Sequence, residues 1–122
     1  MTKQGKATVQ QKESPKVKVT IFADRKTKKI TVDPDKFLVS KGKKEEVQWL
    51  CTQEHKHQSD MCFTVHFGKA NGSPFTKDTF KNHQVSSGLV HEKVEPSDTQ
   101  FYEYTVTVPG VGVLDPKGGV TP

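Results

Sequence analysis

The sequence predicts an all-β fold, a sandwich or barrel of about eight short strands in a single domain. Three observations predict it. Apolar and polar residues alternate with a period of two in segment after segment. Clusters of Pro, Gly, Asp and Lys separate those segments at short intervals. Hydrophobic residues make up only 31% of the 122 residues, which suits strands that bury every second side chain. A chain of this length is one domain.

Each element follows from local pattern. Residues 1–15 are polar, rich in Lys and Gln and without period, and are expected to be disordered. Val17, Val19 and Ile21 share one face of a first strand. A charged turn over residues 23–29 leads to Ile30, Thr31 and Val32. Asp33-Pro34-Asp35 interrupts that strand, because Pro lacks an N–H and biases the residue before it. Phe37 to Val39 resumes, and Lys41 to Lys44 turns. Val47, Trp49 and Cys51 share the next face, as do Phe63, Val65 and Phe67 after a His-containing loop over residues 52–60. Residues 68–84 are long for a loop, so a short helical turn is expected near Lys77 to Lys81. Ser86 to Val90 forms a short strand. Tyr102, Tyr104, Val106 and Val108 give the clearest alternation of all, ended by Pro109-Gly110. Gly118 to Thr121 supplies a last strand.

The formal net charge is +5 and unevenly placed. Residues 1–31 hold nine basic side chains against two acidic ones, and the remainder is slightly acidic. A basic arm can serve nucleic acid or an anionic surface. Here the cations are nearly all Lys, and Phe22 is the only aromatic among them. Nucleic-acid binders interleave Arg and aromatics with such a run, so a solvated tail and a charged hairpin turn are the favoured reading. No run of about 18 apolar residues is present, so no membrane span is expected. The N-terminus carries no apolar stretch of the signal-peptide kind. A cytoplasmic location follows, unless a targeting segment has been removed.

Without a signal peptide, two cysteines point first to free thiols. A Cys51–Cys62 disulfide is the alternative. Parity opposes it, since Cys51 shares the face of Trp49 whereas Cys62 lies opposite Phe63 and Val65; a bulge at a strand end would restore it. The third reading is a metal site of Cys51, His55, His57 and Cys62, with His66 nearby. These are suitable ligand types, but the spacing matches no zinc motif.

The segment from Tyr104 through Pro109-Gly110-Val111 to Asp115 and Gly118 resembles the last strand, loop and strand of the cupredoxins, the blue copper proteins. The family reads aromatic-x-Cys-x-x-Pro-Gly-His-x-x-x-Met-x-x-Gly there. Residues 30–42 followed by Glu46-Val47-Gln48-Trp49 resemble the stretch before the family's first copper ligand. The resemblance covers about residues 17–121 and extends to bacterial cupredoxin-like proteins without the copper ligands. It implies a Greek-key β-sandwich of seven to eight strands over residues 16–122, with residues 1–15 as the tail.

Carried over by position, the ligands are missing. The thiolate position falls on Val106, the second histidine on Val111, and the weak axial methionine near Asp115. The first histidine falls on Phe63, or on Cys62 if the loop shifts by one. A type 1 site needs two imidazoles and a thiolate, and Val and Phe offer no lone pair. The expectation is an apolar plug where copper would sit, and no cofactor.

Other constellations carry less. Ser86, Ser87 and His91 lie close in sequence, but no Gly-x-Ser-x-Gly elbow exists. Gly110-x-Gly112 and Gly118-Gly119 precede no helix pattern, so they cradle no phosphate. Glu45 and Glu46 are adjacent in a strand and point to opposite faces, wrong for acid/base work. Ser73-Pro74-Phe75 with Phe80 resembles a feature of bacterial cupredoxin-like proteins, and both rings are expected to cap one end of the sandwich. Together these readings give a non-catalytic, copper-free binding or accessory module whose partner is an unidentified protein or small molecule. The alternatives are metal handling through the cysteine–histidine loop and nucleic-acid association through the basic N-terminal region.

Overall fold

The period-two alternation resolves into strands in the computed structural model, which describes residues 14–51, 62–69 and 71–122. Among the described residues there are eleven strands in three sheets and no helix. They are β1 (Lys16–Asp24), β2 (Lys29–Asp33), β3 (Lys36–Ser40), β4 (Glu46–Cys51), β5 (Phe63–His66) and β6 (Thr79–Asn82). After these come β7 (Gln84–Leu89), β8 (Phe101–Glu103), β9 (Thr105–Val108), β10 (Gly112–Leu114) and β11 (Lys117–Thr121). The expected disordered segment falls on residues 1–13, which lie outside the described residues, and on Ser14 and Pro15. No helix among the described residues is long and apolar enough to cross a membrane.

One sheet has the order β2-β1-β4-β7. The β1–β2 hairpin turns over residues 25–28, where Asp24 Oδ1 accepts the backbone N–H of Lys26 and of Thr27 at 2.9 and 3.3 Å. Those bonds, Thr27 first, hold the Asp24 carboxyl below its usual range, and Lys28 closes the turn at φ 60°. β4 runs parallel to β1, with Val19 beside Trp49. Its antiparallel ladder with β7 slips between Glu46 and Gln48. There the Ser87 hydroxyl, buried, accepts the Val47 N–H at 2.9 Å and donates to the Gly88 carbonyl at 2.7 Å. A side chain thus satisfies the backbone donor that the bulge leaves without a ladder partner.

Asp33-Pro34-Asp35 carries the chain from β2 into the sheet β3-β11-β8, where β11 is parallel to β3 and antiparallel to β8. The third sheet has the order β10-β9-β5-β6. Tyr104 alone separates β8 from β9, so the second and third sheets continue into one layer, giving a sandwich-like arrangement around a common core. The expected alternation holds: Tyr102, Tyr104, Val106 and Val108 are all buried, as are Val19, Ile21, Val47, Trp49, Phe63, Val65 and Phe67.

Two expectations need correction. No helical turn forms near residues 77–81: residues 79–81 belong instead to β6, an edge strand whose Phe80 lies opposite Val65. With one apolar residue in four, Thr79–Asn82 shows no alternation to read, and its strand state comes from pairing with β5. The strand number exceeds seven to eight, because β6 and β10 were not recognisable and residues 101–108 divide at Tyr104.

Six rings fill the centre: Phe37, Trp49, Phe67, Phe75, Phe80 and Tyr104. Tyr104 stacks on Phe67 at 4.9 Å and Trp49 lies 5.2 Å from Phe80. Trp49 Nε1–H donates to the Tyr104 hydroxyl at 3.3 Å, which gives both buried polar atoms a partner. Phe37 packs against the bare backbone of Gly118, where an added Cβ would overlap its ring. Gly118→Ala should therefore destabilise the fold by about 2–3 kcal/mol, as overpacking does, seen as a lower urea midpoint at unchanged m-value.

Burial pushes the Tyr104 hydroxyl up to about 12 from its ordinary 10.0, the Trp49 bond opposing weakly. An unfolded chain releases this proton at the lower pH. The associated stability is thus complete below about pH 10 and is lost as pH climbs toward 12. The expected loss is about 2–3 kcal/mol across that window. Unfolding free energies of the wild type and Tyr104→Phe from urea titrations, compared at each pH, should converge by that amount, since all other groups are common to both.

Candidate functional site

Three of the four positions matched to copper ligands, Phe63, Val106 and Val111, turn their side chains inward. Phe63 opens β5, and Val106 sits in β9 opposite Val65 on one side and Leu114 on the other. Val111 closes the turn after β9, its N–H donating to the Val108 carbonyl at 3.0 Å. Phe63, Val106 and Val111 are all buried members of the one hydrophobic core. Asp115 is exposed, and its Oδ1 accepts the Thr105 hydroxyl at 2.7 Å. This set holds two valines, a phenylalanine and one surface carboxylate, so it does not fit a copper ion. The turn is held from outside by the basic hairpin: Arg25 Nη1 donates to the Pro109 carbonyl at 3.2 Å and Lys28 Nζ to the Gly110 carbonyl at 2.8 Å.

The cysteines are bonded to each other, with Cα atoms 6.4 Å apart, which corrects the expectation of free thiols. The parity argument assumed two neighbouring strands of one sheet. β4 and β5 belong to different sheets, so the bridge crosses between layers, and Cys62 precedes the first residue of β5, where strand parity does not govern it. His55 and His57 lie outside the described residues. A disulfide sulfur is not a thiolate ligand, so in this state the pair supplies no metal donor of the expected kind. His66 Nδ1 instead hydrogen-bonds Thr79 Oγ1 at 2.8 Å, and that hydroxyl donates to Asp78 Oδ1 at 2.9 Å.

The remaining candidates are structural. Phe75 and Phe80 pack 6.1 Å apart inside the aromatic cluster. Glu45 Oε1 accepts the Ser40 N–H at 2.7 Å, and Glu46 pairs with Lys16 at 3.6 Å. Ser87 holds the β7 bulge, while His91 Nδ1 accepts the Lys93 N–H at 3.1 Å.

The outer face of β3, β11 and β8 holds a surface that the sequence reading missed. Register puts Lys36, Lys117 and Glu103 in one cross-strand row and Leu38, Gly119 and Phe101 in the next. The Lys36 ammonium stands over the Phe101 ring at 4.4 Å from its centroid. An open groove of about 820 Å³ runs from this ring past Lys36, Asp35, Asp115 and Lys117 to the β2 edge. A shallower hollow of about 180 Å³, with Lys69, Asn71 and Glu103, shares Phe101 and Lys117 with it. The available signal was parity: Tyr102 and Tyr104 point inward, so Phe101 puts an aromatic ring on the outer face.

No protein-family model, no curated protein and no solved structure matches this chain.

The bridge closes a short loop, with a sequence separation of 11, and chain-entropy arguments give it about 2–3 kcal/mol. Thiol titration of the denatured, unreduced protein should find no reactive thiol. The Cys51→Ala/Cys62→Ala variant should lose that stability in urea unfolding.

Proposed function

We propose that the chain is a cupredoxin-like sandwich that has exchanged the copper centre for core packing and acts as a non-catalytic binding or accessory module. The burial of Phe63, Val106 and Val111 in a single apolar core carries the reading, because side chains without donor atoms hold no metal ion. Parallel pairing of β1 with β4 and of β3 with β11 supports a Greek-key arrangement, since parallel neighbours need connections that cross between the layers. The anchoring of residues 109 and 110 by Arg25 and Lys28 supports a loop fixed for structure. The open groove that begins at the Phe101 ring on the outer face supports binding as the activity. The Cys51–Cys62 bridge favours an oxidising surrounding over the cytoplasmic location expected from sequence, because cytosolic thiols are kept reduced.

Adding copper(II) to the oxidised and to the fully reduced protein tests the reading. Neither sample should develop the intense blue thiolate band of a type 1 site. The appearance of that band in either one removes the proposal.

A further inference from the structure

We propose that the outer face of β3, β11 and β8 binds neutral polyhydroxylated ligands, oligosaccharides, with Phe101 as the stacking platform and Lys36 as a displaceable cover. The inference rests on the binding-module reading and gives it a site and a ligand class. Its first support is the ring itself. A Cβ added at Gly119 would stand 3.1 Å from two Phe101 ring carbons and 3.2 Å from a Leu38 methyl. The ring therefore lies against the bare backbone of Gly119 at the end of the β8–β11 ladder, with Leu38 on the other side of that glycine. A platform already packed against the sheet loses less entropy when a ligand settles on it.

The rim identifies the ligand class. Lys69 and Lys117 offer donors only, while Asp35, Glu103 and Asp115 offer acceptors, and the covering Lys36 makes the charges three of each sign. Three charges of each sign cancel, so the face attracts neither a polyanion nor a polycation. The lining is mixed, with Ile30, Val32, Leu114 and Pro116 among the charged groups, so a ligand carrying both C–H and hydroxyl surface suits it better than a bare hydrocarbon, which leaves those charges without partners. Sugar hydroxyls both donate and accept, and so answer carboxylate and ammonium alike. The C–H face of a pyranose ring carries slight positive charge and suits the negative face of Phe101. The groove's volume of about 820 Å³ is within the range of ligand clefts, and the hollow sharing Phe101 and Lys117 extends it past the ring for a chain of several units.

Lys36 shows how the ring is kept when free. Its ammonium occupies the place above the ring that a sugar would take. An exposed contact of this kind shifts an equilibrium by about two- to fivefold, enough to cover the ring and weak enough to be displaced.

Calorimetric titration of the full chain with cellohexaose, xylohexaose, mannohexaose and maltohexaose tests the proposal. At least one hexasaccharide should bind. Phe101→Ala should weaken that binding at least tenfold, with folding checked by its urea midpoint. Lys36→Ala, a change at an exposed side chain, should tighten it about two- to fivefold. Absence of binding by all four sugars overturns the proposal, as does undiminished binding by Phe101→Ala, or unchanged or weaker binding by Lys36→Ala. Heparin binding in place of the neutral sugars would also overturn it. None of these outcomes bears on the copper test, so the two readings fail separately.

Discussion

The hydrogen bond from Trp49 Nε1 to the Tyr104 hydroxyl, buried between facing layers, is the constraint on which the rest of this architecture depends. Trp49 comes from a central strand of one sheet, and Tyr104 stands where β8 passes into β9. Each would bury a polar atom without a partner if the other moved away, at a cost of roughly 1–3 kcal/mol. The distance between the layers, their register and the orientation of both rings are thereby fixed together. Tyr104 is also held by its backbone, since its N–H donates to the Pro116 carbonyl at 2.9 Å. Four further rings pack around this pair, several edge to face, so the thin hydrophobic inventory is concentrated where ring contacts add to simple burial.

The same economy explains the opposite end of β9. A sandwich of this size has one core, and every inward position must help fill it. Val106 and Val111 add to that core without demanding a cofactor. The disulfide reinforces a different weak point. β4 and β5 lie in separate sheets with a polar connection between them, and the bridge pins the exit of one to the entry of the other.

Much of this was legible in the sequence, for physical reasons. Val47 with Trp49, Phe63 with Val65, and the run from Tyr102 to Val108 showed period-two burial because their strands have one face inward. Thr79–Asn82 and Gly112–Leu114 were not legible. Both are sheet edges that exist through pairing with a neighbour rather than through side-chain preference. The cysteine bridge was obscured because parity within a sheet says nothing about a link between sheets. The outer-face surface was readable only in part. Phe101's outward parity was available, but the groove beside it depends on how β2, β3 and β11 come together, which no local pattern encodes.

Gly119 connects folding to binding on that surface. A glycine in a strand weakens it, since it contributes no side chain to pack. Phe101 and Leu38 cover it from either side, a repair known for sheet glycines, and that repair alone would account for an aromatic ring here. It does not account for the ring's surroundings. A ring needed only as a cover would be as well served by an apolar neighbour as by Lys36. Instead, the ring lies at the junction of two concavities whose rims alternate in charge. The two roles are compatible, because the contact that covers Gly119 leaves the ring on the outer face beside Lys36. The position that repairs the strand is thus the one that offers a ligand an aromatic surface.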